Sequence, residues 1–86
     1  MRTFDDLSFK PHSNHLGGIH SRMMFENGYG VSVVKTNFSY GGSEGLYELA
    51  VLYEDGITYN TPITDDVLGW LTEDDVSRVM GEVQSL

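Results

Sequence analysis

IHSRMMFENGYGVSVVK, residues 19–35, reads as two strands joined at Glu26-Asn27-Gly28, and the way that turn closes decides the fold. A two-residue Asn27-Gly28 turn would pair Phe25 with Gly30 and Met23 with Ser32, scattering apolar side chains over both faces. A three-residue loop with Gly28 in the left-handed region pairs Phe25 with Tyr29, Met23 with Val31 and Ser21 with Val33. Ile19, Met23, Phe25, Tyr29, Val31 and Val33 then share one face. A slip of one residue moves every side chain across the sheet, so burial selects the register, and the three-residue loop is expected.

Residues 47–61, YELAVLYEDGITYNT, repeat the pattern around Glu54-Asp55-Gly56. With Gly56 left-handed, Tyr53 faces Ile57, Val51 faces Tyr59 and Leu49 faces Thr61. The fold class expected is α+β: a four-stranded antiparallel meander of two hairpins, with C-terminal helices packed on one face. One domain spans 1–86: an extended or loop segment over 1–18, the sheet over 19–61 and a helical segment over 62–86.

Composition sets bounds on function. The 86 residues contain no cysteine, which excludes disulfides and thiolate metal sites and suits a reducing compartment. No apolar run approaches the ~20 residues that span a bilayer, and residues 1–9 lack the apolar core of a signal peptide. Thirteen acids against five bases give a net charge of −8. Residues 1–43 hold three acids and four bases, whereas 44–86 hold ten acids and one base, Arg78. Such a chain repels nucleic-acid phosphates, so direct DNA or RNA binding is not expected. The acidic half suits a basic partner surface, although acidity also serves solubility.

Along the chain, Leu7 and Phe9 alternate as an edge strand would, and Pro11 excludes a central position. His12, His15 and His20 run through a loop into a strand, a spacing that converges on no metal, and they are read as surface histidines. Thr36 to Gly45 is long for a hairpin connection, and its glycines suggest mobility. Phe38 and Tyr40 within it are either recognition residues or, in the simpler reading, a continuation of the second strand and a cover for the sheet edge. After Pro62, Thr64 is expected to cap a short helix from Asp65 to Leu71. Thr72 opens a second helix through a capping box with Asp75 in its third position. Val76, Val79, Met80 and Val83 fall on one face of it. Val67, Leu68, Trp70 and Leu71 are expected to fill the space between sheet and helix.

Chemistry-bearing patterns are sparse. The paired acids Asp5-Asp6, Glu54-Asp55, Asp65-Asp66 and Glu73-Asp74-Asp75 sit at turns and helix starts, where structure alone explains them. General acid–base catalysis needs carboxylates in unlike environments, one of them partly buried. No serine lies in a G-x-S-x-G elbow, the glycines precede no phosphate-binding helix, and the acids lack EF-hand spacing. A chain of this size is also expected to lack a pocket of the usual ~300 Å3 or more.

Asn27-Gly28-Tyr29-Gly30-Val31-Ser32-Val33-Val34 and Thr61-Pro62-Ile63-Thr64-Asp65-Asp66-Val67 resemble a family of small proteins encoded by tailed bacteriophages, over roughly residues 18–86. That family carries no assigned activity, so no residue role transfers. The resemblance implies a phage origin and expression in the bacterial cytoplasm. The resulting expectation is a non-enzymatic, acidic phage protein that binds a basic surface of a host protein and inhibits a defence or nucleic-acid-handling complex. No cofactor, metal or membrane partner is expected. Phe38, Tyr40, Glu44, Asp65, Asp66, Glu73, Asp74 and Asp75 are the candidate contact residues. One alternative is a self-assembling structural or accessory phage protein, a homodimer joined through Met24, Val34, Ala50 and Leu52. A small hydrolase or metal enzyme is a further one.

Overall fold

A computed structural model describes residues 1–11, 17–54, 56–64 and 66–86. The first hairpin closes as the alternation requires. β2 (Ile19–Met24) and β3 (Tyr29–Lys35) pair Met23 with Val31 and Ser21 with Val33. The Phe25 N–H donates to the Tyr29 carbonyl at 2.7 Å, and Gly28 holds φ +87. Val31 and Val33 are fully buried, and Ile19, Met23, Phe25 and Tyr29 pack around them.

The second hairpin departs from expectation. β4 (Tyr47–Tyr53) pairs along β3, and β5 is only Gly56–Ile57, with Tyr53 opposite Gly56 and Leu52 opposite Ile57. The expected pairing of Tyr53 with Ile57 is therefore one residue out of register. Positive φ falls on Glu54, at +50, and Gly56 is not among the left-handed residues. The shorter loop moves Ile57 to the face opposite the core, where it is exposed. Asp55 lies outside the described residues.

The expected two-hairpin, four-stranded sheet with several helices is corrected in two further ways. First, the sheet is one continuous antiparallel meander in the order β1-β2-β3-β4-β5, where β1 is Lys10–Pro11 on the β2 edge. Among the described residues Lys10 and Pro11 alone pair there, so Leu7 and Phe9 do not lie in the edge strand that their alternation suggested. Second, the expected Asp65–Leu71 helix is β6 (Leu68–Leu71), a strand that pairs with β4 beyond β5. β5 and β6 thus share one edge position beside β4, interrupted by the segment that begins at Thr58. The one α-helix among the described residues, α1 (Glu73–Gln84), crosses the core face.

Core packing follows the helix period. Val76, Val79, Met80 and Val83 are essentially inaccessible and meet Val31, Val33, Leu49, Val51, Tyr47 and Leu71. Each such side chain contributes about 1.5–3 kcal/mol relative to exposure. Thr72 caps α1 as expected: its hydroxyl accepts from Asp75 N–H at 3.1 Å, and Asp75 Oδ2 accepts from Thr72 N–H at 3.0 Å. At the other end Asn27 Nδ2, from the first turn, donates to the Val83 carbonyl at 3.0 Å. That side chain joins the Leu86 N–H, 3.2 Å from the same oxygen, in satisfying a carbonyl of the last helical turn.

The N-terminal segment completes the core. A 3-10 turn at Phe4–Asp6 lies against α1, where Ser77 Oγ accepts the Phe4 N–H at 2.9 Å and Gln84 bonds both backbone groups of Arg2. Phe4, Phe9 and Tyr47 form a cluster with ring centroids 5.2–5.6 Å apart. On the opposite face Leu52 and Ala50 are buried rather than offered to a second copy. Gly30, opposite Leu52, leaves room there that the Met24 sulfur occupies.

Candidate functional site

The most unusual local structure lies at β6. Leu68 faces Leu49 and Leu71 faces Tyr47, so three steps on β6 match two on β4. The extra residue is a β-bulge, and it lets two leucines three apart both reach the core. Trp70 absorbs the mismatch at φ +53 and is turned outward, 57% exposed. The expectation that Trp70 fills the space under the helix is thus overturned, while Leu71 does fill it. A non-glycine residue in the left-handed region costs roughly 1–2 kcal/mol.

Trp70 is not alone. Its indole stacks on Tyr40, with centroids 5.4 Å apart and planes at 23°, and Tyr40 is itself 54% exposed. The Trp70 backbone N–H donates to the Tyr40 carbonyl at 3.1 Å, and the Tyr40 backbone N–H donates to Glu48 Oε1 at 3.1 Å. Two glycines make the approach possible. A Cβ on Gly69 would stand 2.5 Å from the Tyr40 Cβ, and one on Gly41 would stand 2.9 Å from the Trp70 Cα.

The connection carrying Tyr40 is tied down, contrary to the mobility its glycines suggest. Buried Thr36 accepts the N–H groups of Phe38 and Ser39 on Oγ1, and Ser39 Oγ accepts the Thr36 N–H at 2.8 Å. A 3-10 turn at Gly42–Glu44 follows, and the Gly41 carbonyl accepts from Glu44 and Leu46. β3 ends at Lys35, so Phe38 does not extend it and is 73% exposed.

The expected contact residues fall into two segments that meet at the Tyr40–Trp70 bond. Residues 36–48 carry Glu44 and Glu48, and residues 62–77 carry Asp65, Asp66, Glu73, Asp74 and Asp75; Lys35 and Arg78 border them, and Arg78 pairs with Asp75. Glu44, Asp66, Glu73 and Asp74 are exposed, and Asp65 lies outside the described residues. Chain length alone keeps Glu73 and Asp74 within roughly 11 and 15 Å of Trp70, Cα to Cα. Asp75 is engaged in the cap. Hydrogen bonds from Thr72, aided by Arg78 at 3.7 Å, hold its carboxyl below the usual aspartate range. Trp70 and Glu48 are the residues that the sequence reading did not place here. The signal was Leu68 and Leu71 three apart around a Gly-Trp pair, a spacing that fits a helix as well as a bulged strand.

A groove of about 720 Å3 runs between the N-terminal segment and the first turn, larger than a chain of this size leads one to expect. Arg2, Asp6, Glu26, Asn27 and Gln84 line it; Asp6, Asn27 and Gln84 are engaged in holding the fold, and Asp6 also faces the exposed Arg2 side chain at 3.7 Å. Basic groups gather at the opposite sheet edge, where Lys10, His20 and Arg22 line a pocket of about 300 Å3 with Ser8 and Ser21. Among the described residues no three His, Asp or Glu side chains gather to hold a metal ion. His12 and His15 lie outside those residues. Among the described residues no helix is long and apolar enough to cross a membrane.

No protein-family model, curated protein or solved structure matches the chain.

Proposed function

We propose that this chain is a non-enzymatic binding module that docks its acidic edge on a basic surface of another protein. The observation that carries this reading is the exposed Tyr40–Trp70 stack, held at the junction of two segments with seven acids between them, bordered by the bases Lys35 and Arg78. Stacked rings supply rigid contact area of the kind that anchors interfaces. The surrounding carboxylates speed encounter with a positive surface and exclude negative ones. Glu44, Asp66, Glu73 and Asp74 form the charged rim of that contact, with Phe38 and Tyr40 among its apolar residues. The resemblance to small phage proteins supplies the setting: the bacterial cytoplasm, and a host defence or nucleic-acid-handling protein as the target to be inhibited.

Affinity capture from bacterial lysate tests this reading, with wild type compared against a Glu73→Lys/Asp74→Lys double variant. A specific host protein should be retained by wild type, released by raised salt, and lost with the double variant. Retention unaffected by both salt and charge reversal would remove the electrostatic docking surface from consideration.

A further inference from the structure

The acidic rim explains why a positive partner approaches, but it does not explain the stack. Burying Trp70 would have been the ordinary outcome for the only tryptophan in the chain. Instead a bulge aims it outward at φ +53, and glycines at 41 and 69 bring Tyr40 beside it. Strain of this kind persists where the surroundings over-determine it, and it clusters at functional positions.

Aromatic faces next to carboxylates define a particular ligand chemistry. The ring quadrupole attracts a cation over its face, most strongly for indole. Glu48 is anchored within this arrangement by the Tyr40 N–H, and a carboxylate offers about four lone-pair sites, so acceptor capacity remains. A planar group that can lie on a ring and fork its N–H donors to a carboxylate fits both features. We infer that the Tyr40–Trp70 face, with Glu48, is the seat of an arginine side chain of the basic partner. This rests on the acidic docking surface proposed above and names the group it receives. Arginine is favoured over lysine because guanidinium is flat, weakly hydrated and stacks on aromatic faces, whereas ammonium is a strongly hydrated point charge. A nucleic-acid base also stacks on aromatic rings, but the flanking segments carry seven acids against the two bordering bases Lys35 and Arg78, an excess that repels its phosphates.

Trp70 reports directly on its own site, since no other indole contributes fluorescence. The full chain is titrated at low salt with a peptide of alternating glycine and arginine, and with its glycine–lysine counterpart. Calorimetry is run in parallel. The expected result is a saturable change in Trp70 fluorescence, with the arginine peptide bound about two- to five-fold more tightly than the lysine peptide. Tyr40→Leu should reduce arginine affinity to the lysine level, and Trp70→Asn, read by calorimetry, should do the same, with circular dichroism confirming that each variant is folded. Equal affinities for the two peptides, or calorimetric binding without any change in Trp70 fluorescence, would overturn the arginine seat and leave the acidic surface standing. Binding of neither peptide at low salt would bring down both.

Discussion

Trp70 carries the largest local conflict between sequence and backbone. Its left-handed conformation is one that glycine adopts without strain, and its ring stands mostly in solvent. Stacking on Tyr40 returns about 0.5–1.5 kcal/mol, comparable to the conformational cost. Trp70→Gly is therefore expected to leave urea-denaturation stability within about 1 kcal/mol of wild type while weakening partner binding by at least about two-fold. Asp75 gives a second prediction at this scale. Its carboxyl is held below the usual range by bonds from Thr72 that the unfolded chain lacks. Its charged form therefore favours folding above the ordinary aspartate range, and that advantage is lost as pH falls through its own lower midpoint. Asp75→Asn should destabilise at neutral pH and match wild type in strong acid, as measured by denaturation across that range. An equal difference at both pH values would mean that the carboxylate charge is not what matters.

Among the elements, the first turn and the helix are coupled. Asn27 accepts the Tyr29 N–H within its own loop and donates across to Val83 and Leu86 at the end of α1. One side chain thus sets the hairpin and closes the helix. Asn27→Ala is expected to cost about 1–2 kcal/mol, the sum of a turn bond and a helix-end bond, visible in chemical denaturation. The same comparison shows what was legible. The β2–β3 register could be read because Val31 and Val33 alternate with polar residues on both sides of a glycine turn. The capped helix could be read from Thr72 and four apolar residues at helical spacing. β6 could not, because Leu68 and Leu71 satisfy a helix period and a bulged strand equally. Nor could the second register, where Glu54 took the left-handed position that glycine was expected to fill.

At the scale of the whole molecule, the charge asymmetry of the sequence becomes an asymmetry of the sheet. Lys10 and Arg22 stand at the β1–β2 edge, whereas the aromatic stack lies at the β4–β6 edge with its acidic segments. The expected dimer surface loses two of its members, because Ala50 and Leu52 are buried within the chain. Of that set Met24, at 39% exposure, is the most open to solvent. A net charge of −8 opposes the approach of a second copy. Light scattering at micromolar concentration should therefore give the mass of a single chain, and a stable dimer would revive self-assembly through another surface.

The sequence by itself determined the alternation, the glycine turn, the helix cap and the division of charge, since each is set by neighbours within a few residues. Only the tertiary structure decided that the chain after Pro62 returns as a strand, because its pairing partner, β4, lies some twenty residues earlier. It also decided the fate of Trp70. Once Leu68 and Leu71 were both drawn into one core, the tryptophan between them had no room to follow.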